Sequence, residues 1–160
     1  MSDITIRSAE SQDCAAILEF IKGLAKYENA LDQVEASEED LRSALFGNSP
    51  KAFALMCCVD NTEAGFALYF FSYSTWTGKF GLFLEDLYIT PEHRGSGAGK
   101  ALLKHLAGLA VANDCARFEW NVLDWNEPAI DFYEAFGAKA LTEWVGYRLS
   151  GNTLKEFAAS

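Results

Sequence analysis

Apolar positions along this chain switch between two spacings. Ile17, Leu18, Ile21, Leu24 and Ala25 recur every three or four residues, which predicts a helix with one apolar stripe. Ser11-Gln-Asp13 opens it, with Asp13 or Ser11 as cap. Ser37-Glu-Glu-Asp40 opens a second helix with acids in its first turn, and Gly47 and Pro50 end it. Ile4-Thr-Ile6, Ala52 to Val59, Gly65 to Tyr73 and Phe80 to Ile89 are strand-like. Asp60-Asn61 makes a turn, and Ser74 to Gly78 a loop, so the later three strands form an antiparallel meander. From Gly97 to about Asn113 helical spacing returns, through Leu102, Leu103, Leu106 and Leu109. Ala116 to Leu123 alternates, which predicts a strand parallel to the one before that helix. Asn126 caps a further helix that carries Pro128 in its first turn and stops at Gly137. Lys139 to Leu149 is expected to be the last strand. The order β-α-α-β-β-β-α-β-α-β predicts an α/β fold: one mixed, mostly antiparallel sheet flanked by helices, with residues 1–160 as a single domain.

The strand Phe80 to Ile89 runs into the most informative stretch. Pro91 ends the strand, and Gly95, Gly97 and Gly99 follow at every second position before the helix. Glycines let the backbone bend sharply and let a ligand lie against bare N–H groups. Those groups sit at a helix N-terminus, which favours an anion. Arg94 and Lys100 add positive charge, so the stretch reads as a pyrophosphate cradle. A Walker A loop is excluded, because Gly99-Lys100 is followed by Ala101 and its first glycine falls on Arg94. A dinucleotide fingerprint fits Gly95 and Gly97 but puts its third glycine on Lys100. Glu119 stands where its ribose-binding acid is expected, but only 61 residues follow Gly99, too few for a long doubly wound sheet.

Charge narrows the partners. The formal net charge is −10, and no basic stripe appears, so nucleic acid is a poor partner and a small cation a better one. No apolar run reaches membrane-spanning length, and the first residues carry no signal-peptide pattern. Cys14, Cys57, Cys58 and Cys115 lack C-x-x-C spacing, and adjacent Cys57-Cys58 in an apolar strand suit buried thiols, so a reduced, cytoplasmic setting is expected. With His93 and His105 the only histidines, no metal-ligand spacing exists and no metal is expected.

Arg94-Gly-Ser-Gly-Ala-Gly99 after a strand resembles the acetyl-CoA loop of the GNAT superfamily of N-acetyltransferases, and the order of elements is similar along nearly the whole chain. Tyr27-Glu28, Trp76-Thr-Gly-Lys79, Leu84-Glu-Asp86 and Trp125-Asn-Glu-Pro-Ala-Ile-Asp-Phe-Tyr133 resemble the diamine (spermidine/spermine) branch, whose relatives also acetylate thialysine and similar short amines. The resemblance implies acetyl-CoA as co-substrate and a homodimer with active sites near the interface. It implies that backbone N–H groups of Leu87, Tyr88 and Ile89 hold the acetyl carbonyl and pantetheine. Arg94, Gly95, Ser96, Gly97, Ala98, Gly99 and Lys100 would hold the pyrophosphate, and Asn126, Ala129 and Tyr133 would touch the cofactor.

Acetyl transfer to an amine needs a neutral amine, a stabilised oxyanion and a proton for the leaving thiolate. An alkylamine has a pKa near ~10.4, so a proton must leave it. Glu85-Asp86 interrupts an apolar strand just before the glycine loop. On strict alternation Glu85 shares a face with Phe83, Leu87 and Ile89, and Asp86 with Leu84 and Tyr88. Glu85 is the candidate base, directly or through water, with Asp86 supplying field for the cation; the resemblance implies the same for Glu85. Tyr133, between Phe132 and Phe136, reads from the residues alone as a packed aromatic. The resemblance instead implies that it protonates the departing thiolate. Tyr27, Glu28, Trp76, Glu119, Trp120 and Asn121 are the further amine candidates, through charge and cation–π contact. Val145 stands where the diamine enzymes are expected to carry an acid for long polyamines, which favours shorter amines. Two other readings stay open: a sensor of acetyl-CoA or amine without turnover, and a protein N-acetyltransferase. The first has no need of both Glu85 and Tyr133, and the second needs an open peptide groove.

Overall fold

The computed structural model describes residues 1–160, which form two compact units, Met1–Asn121 and Val122–Ser160. In the first unit five strands lie in the order β1-β2-β3-β4-β5: Ile4–Ser8, Phe53–Val59, Thr62–Ser74, Lys79–Ile89 and Arg117–Trp120. Every pairing is antiparallel except β4 with β5, which is parallel. Helices α1 (Cys14–Tyr27) and α2 (Glu38–Phe46) connect β1 to β2, and α3 (Ala98–Ala112) is the crossover from β4 to β5. The mixed sheet and its helices are as the spacing predicts. No helix is long and apolar enough to cross a membrane.

Local chemistry sets these elements. Asp60 and Asn61 both adopt the left-handed region, φ 49° and 63°, which gives the tight turn between β2 and β3. Ser37 caps α2 reciprocally: its Oγ accepts from the Asp40 amide at 3.1 Å, and Asp40 Oδ2 accepts from the Ser37 amide at 2.8 Å. At α1 the capping expectation needs correcting. A 3-10 turn at Ser11–Asp13 precedes the helix, and neither Ser11 nor Asp13 caps it by side chain. Asp13, only 4% exposed, instead takes both guanidinium nitrogens of Arg7 at 2.7 and 2.9 Å and the Glu10 amide at 2.7 Å. The Arg7 hydrogen bond, above all, holds its carboxyl below the usual range.

One face of the sheet buries Met56 and Phe66 against Ile17 and Phe20 of α1 and Leu41 of α2. Tyr88 and Leu68 pack on the same cluster. On the opposite face, Leu87 and Ile89 approach Gly99 of α3, where Leu102 and Leu106 are fully buried.

Strict alternation fails at one point in β4. Leu68 pairs with Asp86 and Tyr69 with Leu84, so Glu85 is an extra residue without a partner. This bulge keeps Leu82, Leu84, Leu87 and Ile89 on the α3 face, and turns Asp86 and Tyr88 toward α1. The expected sharing of a face by Asp86 and Leu84 is therefore wrong.

The second unit contains α4 (Glu127–Ala135) and α5 (Gly151–Ala159). The strand expected at Lys139–Leu149 does not form: all eleven residues are exposed and irregular, with a turn near Thr142. An alternating pattern supplies side chains for a sheet but no hydrogen bonds within the segment, so a strand exists only where a second strand pairs with it. The helix at Gly151–Ala159 was not expected from the spacing. The sheet thus has five strands, and the chain ends on a helix.

Candidate active site

Three carboxylates meet where the end of α1 faces β4. Asp86 is largely buried, and burial pushes its pKa up to about 6, with the charges of Glu85 and then Glu28 adding to the rise. Glu28 closes α1 and is itself raised by burial. Glu85 stands exposed at the bulge. None of the three forms an ion pair within the chain. Acids left without a countercharge, one of them buried, suit an ammonium ligand. The buried member is Asp86, so the roles expected for Glu85 and Asp86 are open to exchange.

The glycine loop is built as a cradle. Gly95 and Gly97 take φ of +79° and +91°, and a Cβ at Gly95 would meet nothing within 4 Å. Gly97 is the left-handed cap of α3 and offers no side chain to the helix amides. Ser96 Oγ donates to the His93 carbonyl at 2.6 Å and accepts from the Ala98 amide at 3.3 Å. The amides of Gly99 and Lys100 have no acceptor within the chain. His93 is engaged too, with Nδ1 2.8 Å from Thr90 Oγ1. Positive φ, unpaired amides and the neighbouring Lys100 fit a diphosphate.

Strand β5 pairs only with Gly81 to Leu84 of β4, so the stretch from Glu85 to Ile89 has no ladder partner on that side. Amides alternate sides along a strand: the Thr90 amide donates to Ala64 of β3, which puts Tyr88 on that side too and leaves the amides of Leu87 and Ile89 on the unpaired side. Together with the glycine loop, this edge fits the pantetheine and pyrophosphate of acetyl-CoA.

The other expected residues divide. Tyr27, 43% exposed, adjoins Glu28 and contacts the Arg94 guanidinium. Glu119 pairs with Phe83, and Trp120 with Leu84. Trp120 thus shares the α3 face and packs on Phe118, with ring centroids 5.0 Å apart. That is the face opposite Asp86. Asn121 is exposed just after β5. Trp76, 81% exposed, lies at the tip of the β3–β4 hairpin. The strand rise from Lys79 to Asp86 sets it roughly 20 Å from the acids, too far to join them. In the second unit Asn126 caps α4, its Oδ1 accepting from the Ala129 amide at 3.4 Å. Tyr133 is half-buried, its ring 5.7 Å from that of Phe132 and 6.3 Å from that of Phe136.

Sequence reasoning missed Gly23 and the bulge at Glu85. A Cβ at Gly23 would lie 2.6 Å from the Tyr88 hydroxyl, so this glycine is a notch in α1 that seats the Tyr88 ring. A lone glycine inside a helical stripe was a usable signal.

Residues 19–138 match the sequence profile described as "Acetyltransferase (GNAT) family". The chain belongs to this family. It is 40% identical to the thialysine N-epsilon-acetyltransferase of Sus scrofa over 169 aligned positions, covering 99% of each chain. It is 38% identical to the spermidine/spermine N(1)-acetyltransferase-like protein 1 of Homo sapiens, over 93% of this chain and 22% of that one. An integron cassette protein from the mobile metagenome of V. cholerae has the same fold, with a TM-score of 0.81, 27% identity and 98% coverage of both chains. The chain is an N-acetyltransferase that transfers acetyl to an amine, with acetyl-CoA the co-substrate of its family.

Proposed function

We propose that this GNAT enzyme acetylates the terminal primary amine of a short cation of the thialysine or lysine kind. The single observation that carries the reading is the trio Glu28, Glu85 and Asp86, uncompensated within the chain, with Glu85 and Asp86 on the strand that leads into the cradle. An ammonium is the ligand that such a trio attracts most strongly. Full-length similarity to a thialysine enzyme and the absence of an acid at Val145, which is 75% exposed, both favour a short amine over a long polyamine.

Acetyl-CoA supplies the activated acetyl group. Leu87 and Ile89 hold its arm by backbone amides, and Gly95 to Lys100 its pyrophosphate. Asp86 and Glu28 hold the ammonium, and either Asp86 or Glu85 accepts its proton, freeing the lone pair for direct attack within a ternary complex. Tyr133 donates a proton to the departing thiolate, and Asn126 and Ala129 bind the cofactor. Glu119 completes the amine side. The whole of residues 1–160 acts as one acetyltransferase domain, as a cytoplasmic homodimer. The relative's full-length match supports the first of these inferences, and four free cysteines support the cytoplasm.

The test is turnover of acetyl-CoA against thialysine, lysine, ornithine, putrescine, spermidine and spermine. Thialysine and lysine should give the highest kcat/KM. If spermine leads, the short-amine reading is wrong; if none turns over, the activity itself is misassigned.

A further inference from the structure

Arg94 does not simply hang from the glycine loop. Its Nε donates to the Ile89 carbonyl at 3.0 Å. The centre of its guanidinium lies 5.3 Å from the ring centroid of Tyr27 and 5.5 Å from that of Tyr88. The Tyr88 ring is fixed in turn by Phe20, at 6.1 Å between centroids, and by the notch at Gly23. Neither terminal nitrogen of Arg94 has a partner in the chain, and the residue is exposed. One edge of the guanidinium is thus held, and the other faces outward beside the cradle.

We propose that Tyr27 is a positioning residue for the cofactor rather than a contact for the amine: with Tyr88 it clamps Arg94 so that the free edge of the guanidinium is presented to the diphosphate. This rests on the reading of the loop as an acetyl-CoA site. An unclamped arginine has several rotatable bonds to immobilise on binding, and a clamped one has already lost that freedom. Two aromatic faces orient the cation without neutralising it, which an ion pair with Glu28 would do. The clamp also joins two functions. Tyr27 is followed at once by Glu28, so the segment that carries an amine-binding acid also carries one jaw of the clamp. By linkage, CoA bound at Arg94 should favour the amine, and the amine should favour CoA.

The experiment measures CoA binding by calorimetry, with no amine present, for wild type, Tyr27→Leu and Tyr27→Phe. Loss of one exposed cation–π face should weaken CoA roughly 2- to 5-fold in Tyr27→Leu, and Tyr27→Phe should restore it because the ring face is kept. An independent readout needs no ligand. The Arg94 Nε–H resonance, shifted by the two ring currents, should move in Tyr27→Leu and stay in Tyr27→Phe. If Tyr27→Leu folds poorly, Gly23→Ala displaces the opposite jaw, because its Cβ meets Tyr88, and should weaken CoA in the same sense. A wild-type protein that binds no CoA overturns the reading of the loop. A wild type that binds CoA, with Tyr27→Leu binding equally well and losing amine affinity alone, overturns only the clamp and returns Tyr27 to the amine.

Discussion

Glu28, closing α1, and Asp86, just past the bulge of β4, face the same space, and the charge of one helps to raise the pKa of the other. Like charges brought together in a partly buried site are destabilising, and folding holds them there. The arrangement is explained if the protein is selected for the bound state, in which an ammonium compensates both. The helix end and the strand supply one acid each, so neither element alone could make the site.

That relationship has a measurable consequence for stability. Asp86 is raised from 3.8 to about 6 in the folded protein. The folded state therefore binds its proton more tightly than the unfolded state does, and stability falls as pH rises through that window. Above about pH 6 the full penalty, on the order of 2–3 kcal/mol, is present. Asp86→Asn should then unfold at a higher temperature than wild type at pH 7.5, and the two should converge near pH 4. Thermal unfolding of both proteins across that range checks it. Parallel curves with no convergence would show that the carboxylate carries no burial penalty.

The same acids set the dependence on salt and on substrate charge. Cationic amines should be the better substrates, and kcat/KM should fall as ionic strength rises, because the long-range field that concentrates the cation is screened over ~10 Å at 0.1 M. Replacing Glu28 by Gln should reduce the slope of log kcat/KM against ionic strength. Neutral or anionic amines outrunning lysine would contradict the electrostatic account.

Gly97 tests the cradle. It adopts φ +91°, and a Cβ there would come no closer than 3.9 Å to Ile4 Cδ1, so space is available but the conformation is not. A β-branched residue in that region costs about 1–3 kcal/mol of strain. Gly97→Val should remain folded with a lowered melting temperature and lose CoA binding, since its side chain stands over the open amides of α3. Calorimetry on the folded variant decides the matter; unchanged CoA affinity would place the diphosphate elsewhere.

Much of this site was legible from residue order because its parts are local. Gly95 and Gly97 act through backbone freedom, and the nearby Arg94 and Lys100 through charge, all within one short stretch of chain. The bulge was not legible. Period-2 reasoning assumes unbroken pairing, and whether Glu85 has a partner depends on β3, which the β4 sequence does not encode. That one residue decides which acid turns toward α1. The face of Trp120 likewise follows from its pairing with Leu84, not from its own segment. The segment Lys139–Leu149 shows the converse: its alternating pattern is real, but hydrogen bonding to a second strand, not pattern, makes a strand.

The remaining question is which groups move protons, and a pH–rate profile separates them. If the amine binds as its cation and then gives a proton to Asp86, that carboxylate must be ionised in the free enzyme. The profile of kcat/KM should then rise through about pH 6, the value that burial sets for Asp86, and fall as the free amine loses its own proton near ~10.4. Asp86→Asn should abolish the low-pH limb and lower kcat/KM by ~10²–10⁴, the usual worth of a general base. Glu85→Gln distinguishes the alternatives. If Glu85 is the base, its loss should be worst at low pH and relieved at high pH, where solvent takes the proton from the amine. If Glu85 only adds field, its loss should lower the pKa of the limb, because Glu85 is one of the charges that raise Asp86, and leave the plateau much closer to wild type. Tyr133→Phe should reduce kcat without a matching change in amine affinity, toward the lower end of the same range, since a thiolate departs fairly well without a proton. Wild-type kcat in Tyr133→Phe at every pH would make Tyr133 a packing residue between Phe132 and Phe136 and nothing more.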